Sequence, residues 1–147
     1  MRLLLQRVTR ASVTVDDVVI GRIGPGLMVL VGVGHDDDEA RADLMAGRVA
    51  DLRIFRDGEG KTNLSLMDVG GSALVISQFT LYGDTRKGRR PSFLDAAPPA
   101  LGDALYERFA DTLAGRGVPV ERGVFGAEME VELINDGPMT IWLDSAA

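Results

Sequence analysis

The 147-residue chain contains no cysteine and a single histidine, His35. Without cysteine there is no disulfide framework, no thiolate nucleophile and no cysteine-ligated zinc site, which fits a reducing cytoplasm. A Ser-His-Asp triad would need His35 as its base, but His35 stands between Gly34 and the acidic run 36–39, and nothing in the sequence brings it near a serine. We therefore interpret His35 as a polar loop residue, and we predict neither a metal site nor a cofactor.

Long apolar runs are also missing from the chain. No stretch approaches the roughly 20 residues that a membrane-spanning helix needs, and the first residues lack the pattern of a signal peptide. We therefore expect a cytoplasmic protein without a membrane partner. Cationic side chains are the minority, with 16 Lys and Arg against 22 Asp and Glu. The resulting mean field repels phosphates, so any contact with nucleic acid must be local.

One local exception to this acidity lies between residues 82 and 93. The segment carries a single acidic residue, Asp84, against four cationic ones: Arg86, Lys87, Arg89 and Arg90. On charge alone, a solvated surface loop is the simpler interpretation. A DNA-associated or nuclease-like role depends on this loop only, and no carboxylate-metal motif supports it, so we expect no DNA partner.

The length and composition predict one domain over residues 1–147, because both are close to those of average globular domains. The segment Arg2–Val33 reads as strands separated by turns at Asp16-Asp17 and Gly24–Gly26, which indicates an antiparallel meander. Within it, Leu27–Val31 is continuously apolar, as expected for a strand that is covered on both faces.

Two helices are predicted to cover this sheet. The first follows the acidic cap Asp36–Asp38 and runs to about Leu52, and the second opens at Pro98-Pro99 and ends at Gly115. Further strands are predicted over Leu52–Phe55, Ala73–Phe79, Val118–Glu121, Glu128–Asn135 and Thr140–Leu143. The sequence therefore predicts an α+β fold in which a mixed or antiparallel sheet, or a small β-barrel, is backed by two helices.

Two polar clusters interrupt the apolar strands. The first, Ser77, Gln78, Phe79 and Thr80, places two hydroxyls and an amide at the end of a buried strand. The second, Asn135–Thr140, contains a Gly-Pro pair that we interpret as a tight hairpin turn, in the one setting where a cis peptide is energetically modest. Taken singly, each cluster is explained by ordinary strand-end or turn hydrogen bonding.

Together, the clusters resemble the D-aminoacyl-tRNA deacylase (D-tyrosyl-tRNA deacylase) family, in which a Ser-Gln-Phe-Thr-Leu motif precedes an Asn-X-Gly-Pro-X-Thr motif. Both motifs are intact here. The resemblance extends over nearly the whole chain, because other ordered pieces also look like the family: Gln6–Val8, Gly26-Leu27, Leu52–Phe55, Gly88–Phe93, Phe125–Ala127 and Met129.

The resemblance implies an editing enzyme, a carboxylic ester hydrolase that removes D-amino acids from tRNA, and glycine mischarged on the tRNA for alanine. It places the 3′-terminal adenosine near four catalytic residues, Ser77, Gln78, Phe79 and Thr80. The backbone N–H groups of Phe79 and Thr80 are implied to stabilise the oxyanion that forms during hydrolysis. Phe125 and Met129 are implied to help form the adenosine pocket. A tRNA 2′-hydroxyl is expected to assist the attacking water, and Thr80 as covalent nucleophile is the alternative mechanism.

The resemblance further implies a homodimer in which Gly137 and Pro138, joined by a cis peptide, reach from one subunit into the site of the other. Rigid backbone carbonyls there would collide with an L side chain but admit D-amino acids and glycine. Asn135 and Thr140 belong to the same motif and are assigned with it to substrate selection.

An RNA substrate changes the interpretation of the basic segment. Its four cationic residues become candidates for contacts with tRNA phosphates, which would be independent of base sequence and sensitive to salt. A non-catalytic RNA-binding dimer remains the alternative function, because the chain has no conventional nucleophile-base pair.

Overall fold

A mixed sheet of six strands forms the centre of the molecule in the computed structural model, which describes residues 1–146. Its strands are β1 (Arg2–Val15), β2 (Val18–Ile23), β3 (Gly26–Gly32), β6 (Ser72–Ser77), β7 (Val120–Arg122) and β8 (Glu130–Asp144), and the short strands β4 (Phe55–Arg56) and β5 (Thr62–Leu64) form a separate pair. Strand β1 is antiparallel to β2, β3 and β8, whereas β3 with β6 and β6 with β7 are parallel. This confirms the predicted mixed sheet.

The sheet curls until it is nearly closed as a barrel. Strand β2 approaches β7, to which it is not hydrogen-bonded, so closely that a Cβ atom on Gly21 would lie 3.2 Å from the carbonyl oxygen of Arg122. Glycine has no Cβ, and it therefore allows the two backbones to come together at the seam.

Two hydrophobic clusters occupy the two faces of the sheet. Because side chains alternate along a strand, β3 sends Val29 to the face that the helices cover and Met28 to the other face, where Leu74 and Ile76 of β6 pack. The prediction that this strand is covered on both faces is confirmed.

The two predicted helices are α1 (Glu39–Asp51) and α3 (Pro99–Gly115), and both bury one side against the same face of the sheet. Asp38 caps α1, because its side chain accepts a hydrogen bond from the Arg41 N–H at 2.8 Å. A third, four-residue helix that the sequence did not predict, α2 (Leu66–Val69), begins at a capping box. No helix in residues 1–146 is long and apolar enough to cross a membrane.

Two predicted strands end elsewhere than expected. Most of Leu52–Phe55 is a connection, because the Leu52 N–H donates to the carbonyl of Arg48 and so closes the end of α1. Ala73–Phe79 was predicted as one strand, but β6 stops at Ser77 and a 3-10 helix (Phe79–Tyr82) follows.

The predicted hairpin turn at Asn135–Thr140 is wrong, because β8 runs straight through it. Both halves of β8 pair with β1 in the same direction, Val8 with Asn135 and Gln6 with Thr140. Two steps along β1 therefore match five along β8, and the extra residues form a bulge. We call residues 136–139 the β8 bulge.

Candidate active site

A cavity of about 570 Å³ opens beside the end of β6. Its walls come from four places: the end of β6, the segment after residues 84–92, the first turn of α3 and the segment before β8. We call residues 84–92, which contain the four predicted cations, the basic loop. Its lining is mostly apolar and consists of Val33, Ile76, Ser77, Gln78, Phe79, Phe93, Ala96, Ala97, Pro99, Gly102, Phe125, Gly126, Ala127, Met129 and Val131. None of these side chains is charged, so the cavity suits a neutral, flat ligand better than an ionic one.

The first backbone amides of a 3-10 helix lie at the end of β6, next to this cavity. The Gln78 N–H still bonds the Val31 carbonyl at 2.8 Å, but the chain then leaves the sheet for the 3-10 helix. The first amides of a helix have no acceptor within the helix. Phe79 and Thr80 occupy that position, which is where an oxyanion would find donors.

Thr80 carries the only aliphatic hydroxyl of the 3-10 helix, and a neighbouring amide orients it. The Gln78 Nε2 atom donates to the Thr80 Oγ1 atom at 2.6 Å. No lining residue of the described chain can act as a base at neutral pH. His35 lies outside this lining, and its Nε2 atom is 2.6 Å from the Leu94 carbonyl oxygen. Within residues 1–146, Thr80 therefore has a partner that orients its hydroxyl but no lining residue that removes its proton.

Aromatic side chains line the cavity. Phe79 and Phe93 meet edge to face, with ring centroids 5.1 Å apart. Phe125 lies against α3, where a Cβ atom on Gly102 would be 3.5 Å from its ring. Behind it, the Tyr106 hydroxyl donates to the Val75 carbonyl at 2.8 Å, and burial raises the pKa of Tyr106 to about 12.

Arg2, at the start of β1, ties the 3-10 helix to the end of β8. Its Nη1 atom donates to the Leu81 carbonyl at 3.0 Å, its Nε atom contacts the Asp144 carboxylate at 3.2 Å, and its guanidinium lies 4.4 Å from the Tyr82 ring centre. Burial, followed by the charge of Asp37, raises the pKa of Tyr82 above its usual range. Tyr82 therefore stays neutral beside the guanidinium.

Arg7 and Asn135 hold the β8 bulge from inside the protein. The side-chain amide of Asn135 donates to the Arg7 carbonyl at 2.9 Å and to the Met139 carbonyl at 3.0 Å. Arg7 is buried, and its guanidinium donates to the Asp136 carbonyl at 3.1 Å and to the Ile54 carbonyl at 2.6 Å. The Gly137-Pro138 peptide within this bulge is cis.

The bulge and the motif at the end of β6 lie at different levels of the sheet. Ser77 pairs with Val31 of β3, which in turn pairs with Leu3 of β1. Asn135 pairs with Val8 of β1. Five residues of β1 separate these levels, which is about 17 Å of extended strand. None of Asn135, Gly137, Pro138 and Thr140 lines the cavity of its own chain.

The basic loop is closed at its base and partly neutralised. Asp84 and Ser92 exchange two backbone hydrogen bonds of 2.8 and 2.9 Å. Arg86 pairs with Asp84 at 2.8 Å, and its hydrogen bonds hold the pKa of that carboxyl at about 2. Of the four cations predicted to contact tRNA, three are exposed and form no ion pair within residues 1–146: Lys87, Arg89 and Arg90.

The structure brings most of the first cluster together and leaves the second apart. Ser77, Gln78 and Phe79 line the cavity with Phe125 and Met129, and Thr80 follows in the chain. Arg2, Arg7 and Phe93 were not predicted as site residues from the sequence. Arg7 carried a detectable signal, since it continues the alternation of Leu3 and Leu5 on the buried face of β1.

Comparison with known proteins identifies relatives over almost the whole chain. Residues 4–144 match the family described as D-Tyr-tRNA(Tyr) deacylase. A protein of Thermomicrobium roseum named D-aminoacyl-tRNA deacylase is 64% identical over 146 residues, which is 99% of this chain and 95% of the relative. One of Ruegeria pomeroyi with the same name is 62% identical over 98% of this chain and 99% of the relative.

Solved structures agree on the fold. A protein named c-Myc DNA Unwinding Element Binding Protein matches with a TM-score of 0.94 and 40% identity, and each chain is covered completely. A structure described as a probable eukaryotic D-amino acid tRNA deacylase matches with a TM-score of 0.84 over 97% of both chains. At 23% identity, this second likeness supports the fold alone.

Proposed function

The chain belongs to the D-Tyr-tRNA(Tyr) deacylase family and is a hydrolase of D-aminoacyl-tRNA, and we propose that it performs this hydrolysis in the cavity at the end of β6. One observation carries the assignment of the site. The residues Ser77, Gln78 and Phe79, which carry the family resemblance, line an uncharged cavity and precede a turn with free amides. A neutral adenosine fits such walls, and an ester carbonyl at its ribose can meet the amides.

In the proposed reaction, water attacks the ester carbonyl carbon and forms a tetrahedral intermediate. The Phe79 and Thr80 N–H groups stabilise its oxyanion, and the bond from the carbonyl carbon to the ribose oxygen then breaks. The free amino acid and the terminal hydroxyl of tRNA are the products. The proton of the attacking water passes to the departing ribose oxygen, and we propose that the neighbouring 2′-hydroxyl relays it, since the cavity lining has no base.

The assay that tests the activity compares both enantiomers. D-Tyr-tRNA and L-Tyr-tRNA are incubated with trace enzyme, and D-Tyr-tRNA is expected to decay far faster than L-Tyr-tRNA. Decay of both at the rate in buffer alone would instead support the alternative, a non-catalytic RNA-binding dimer.

The two mechanisms for the nucleophile differ in which hydroxyl they need. A substrate that ends in 2′-deoxyadenosine should resist cleavage if the RNA hydroxyl takes part. If Thr80 is the nucleophile, Thr80→Val should abolish cleavage of the ordinary substrate, whereas Thr80→Ser should retain it. We expect the deoxy substrate to show the larger loss, because the side chain that donates to Thr80 Oγ1 is a neutral amide, which cannot serve as a base.

Rejection of L-amino acids is proposed to come from a second copy of the chain. The β8 bulge does not line the cavity of its own chain, but it is held from inside by Arg7 and Asn135. Gly137 allows this close packing, since a Cβ atom there would lie 2.8 Å from the Arg7 Nη2 atom. In the proposed homodimer, Gly137 and Pro138 face the partner's substrate, so that an L side chain collides with their backbone.

The same rule makes glycine a substrate. A glycyl ester has no side chain to exclude, so glycine mischarged on the tRNA for alanine should be cleaved along with D-amino acids. Measuring glycyl-tRNA and L-alanyl-tRNA with the same tRNA tests this directly. Cleavage of both at equal rates would contradict selection by exclusion.

Contacts with tRNA phosphates are proposed for the exposed tip of the basic loop. Because Arg86 is already paired with Asp84, we expect Lys87, Arg89 and Arg90 to contribute most. Log affinity falls with log salt, and each lost phosphate contact should make the slope of this plot less negative by about 0.7 to 0.9. Lys61→Gln is the control for loss of one positive charge, since Lys61 is an exposed cation outside the loop, and it should leave the slope unchanged.

One structural relative has DNA binding in its name, and this suggests a competition test. Duplex DNA of matched charge is added to the deacylation assay, and it should inhibit only weakly if the chain reads a single-stranded RNA end. Inhibition at the concentration of the tRNA itself would favour a nucleic-acid-binding role beyond deacylation. We also propose that the protein works in the cytoplasm, where charged tRNA is used.

A further inference from the structure

We propose that the pair formed by Phe79 and Phe93 is a second nucleotide subsite, on which the base next to the 3′-terminal nucleoside stacks. This inference rests on the proposed function, since it takes the single-stranded end of tRNA as the occupant. Both residues line the cavity, yet Phe79 is 54% and Phe93 37% exposed. Side chains that line a cavity and also face solvent lie at its rim, where a strand leaving the cavity must pass.

The pair is held in a fixed position. The Phe93 ring packs on the end of the 3-10 helix, where a Cβ atom on Gly83 would come 3.3 Å from its Cε1 atom. Gly83 in turn donates its N–H to the Thr80 carbonyl at 2.9 Å. The rings meet at 76°, so that one presents its face where the other presents its edge. A rigid aromatic surface loses little entropy when a base stacks on it.

The neighbouring charges favour a nucleic acid over a protein as the occupant. Phe93 directly follows Ser92, which closes the basic loop, and the loop carries the exposed cations Lys87, Arg89 and Arg90. Proteins that bind single strands combine stacked aromatics with a cationic track for the backbone. A protein partner would use the aromatics, but charged residues are depleted at the core of such interfaces.

The uncharged cavity fixes the order of the contacts along the RNA. Its lining has no cation for a phosphate, so it takes the terminal nucleoside. The next base then meets Phe79 and Phe93 at the rim, and the phosphates reach the basic loop. This order assigns recognition of the strand to three adjoining surfaces of one chain.

The test varies the substrate one unit at a time. Three esters of the same D-amino acid are compared: one on adenosine, one on a cytidylyl-adenosine dinucleotide, and one on a dinucleotide whose first residue lacks its base. With the wild-type enzyme, kcat/KM for the full dinucleotide should exceed that for the abasic one about tenfold, which is what stacking one base on an aromatic ring contributes. Equal values would overturn the proposal without any variant having to fold.

Substitutions then assign the gain to the aromatic pair. In Phe93→Leu the ratio between the two dinucleotides should fall close to one, whereas Phe93→Tyr should keep it. Leu94→Ala is the matched control, because Leu94 is the next residue, is 83% exposed and lies outside the cavity lining, and it should keep the wild-type ratio. An unchanged ratio in Phe93→Leu, or an equal loss with all three esters, contradicts a separate base subsite.

Two further outcomes separate this inference from its premise. If the wild-type enzyme cleaves none of the esters and no D-aminoacyl-tRNA, the proposed function fails. If it cleaves them and Phe93→Leu instead changes the oligomeric state in light scattering, the pair covers a subunit interface. That result would overturn the subsite and leave the deacylase function standing.

Discussion

The end of β6 and the β8 bulge carry the two polar motifs of the chain, and their surroundings differ. The end of β6 borders a cavity of about 570 Å³ and presents amides to it. Gly137 and Pro138 of the bulge lie outside that cavity in their own chain, but a buried arginine fixes the backbone beside them. The end of β6 therefore offers space for a ligand, whereas the bulge offers a rigid backbone.

This difference shows what a single chain can and cannot do. Hydrolysis needs amides, a cavity and water, and the end of β6 provides the first two and an opening for the third. Rejection of one enantiomer needs a rigid obstacle in that cavity, and the chain carries its firmly held bulge about 17 Å away along β1. Because the sheet fixes that separation, we expect the two regions to meet only between subunits.

The largest expected effect comes from mixing two inactive variants. In Gly102→Leu the added side chain meets Phe125 and should fill the cavity, and in Asn135→Ala the bulge loses both hydrogen bonds of that side chain. Each variant alone should lose most of its activity on D-Tyr-tRNA, because the cavity is proposed to hold the adenosine and the carbonyls of the bulge are proposed to contact the substrate Cα as well as to exclude L side chains. If the bulge acts across the subunits, a heterodimer keeps one site with both parts intact, and an equal mixture should recover about a quarter of wild-type activity.

Deacylation of D-Tyr-tRNA after joint refolding of the two variants measures this recovery. Samples of each variant refolded alone are the control. Lack of recovery, with heterodimers shown to be present by two different tags, would mean that the bulge serves the cavity of its own chain.

The next largest effect is expected on stability, and it should differ between the buried arginine and the exposed arginine that contact the bulge. Arg7 and Arg56 both contact the Asp136 carboxylate, but their side chains are 4% and 48% exposed. Arg7→Ala should lower the free energy of unfolding by about 2 kcal/mol, because it leaves buried carbonyls without donors. Arg56→Ala should cost less than about 1 kcal/mol.

Urea unfolding measures these two losses, and deacylation of L-Tyr-tRNA measures the consequence. Arg7→Ala should cleave the L substrate faster relative to the D substrate than wild type does. If both variants lose equal stability, or if Arg7→Ala keeps the wild-type ratio, the bulge does not depend on its buried support.

The sequence predicted these two regions unequally well. Polar side chains after a buried apolar strand made Ser77–Thr80 a visible local pattern, and the resemblance to the deacylase family then assigned this cluster to the site. The bulge was misread as a hairpin turn, since the Gly-Pro pair has the same local preference in a turn and in a bulge. Only the pairing of both halves of β8 with β1 decides between them, and that pairing is not local.

Residues that act through distant contacts were hidden for a similar reason. Arg2 reaches Leu81 and Asp144, which are far away in the chain. The strand pattern and the two helices were predictable, because hydrophobic periodicity and capping residues are local signals. The cavity walls were only half predictable, since Phe93 and Gly102 show no pattern that sets them apart from ordinary loop and helix residues.

A smaller effect is expected from loosening the 3-10 helix at the end of β6. Arg2→Gln removes the guanidinium that holds the Leu81 carbonyl, so the amides at Phe79 and Thr80 should be less well aligned with the oxyanion. We expect kcat to fall about tenfold, less than the loss of a whole oxyanion donor, while KM stays within about twofold. Steady-state deacylation of D-Tyr-tRNA measures both.

Two further variants test whether Arg2 acts by position. Arg2→Lys keeps the charge and can still donate a hydrogen bond to the Leu81 carbonyl, and it should recover part of kcat. Arg10→Gln is the control, because Arg10 lies on the same strand and contacts Glu132 of β8, but its side chain is 63% exposed. A rise in KM at constant kcat would assign Arg2 to substrate binding.

The smallest expected effects concern two ion pairs, the exposed pair of Arg86 with Asp84 and the pair of the buried Arg7 with Asp136, and they are measured by changing pH and salt. Arg86 holds the pKa of Asp84 at about 2, so the ion pair stabilises the basic loop fully above the ordinary aspartate pKa of about 3.9, and this contribution is lost as pH falls through 2. Titration by NMR should show a midpoint for Asp84 near 2 that returns toward the ordinary value in Arg86→Gln.

Salt should screen this exposed pair, whereas the pair of Arg7 with Asp136 should persist, since its guanidinium is buried. Amide exchange at about 1 M salt should therefore speed up around Asp84 and stay slow beside Asn135, and equal acceleration at both places would show that the two supports do not differ.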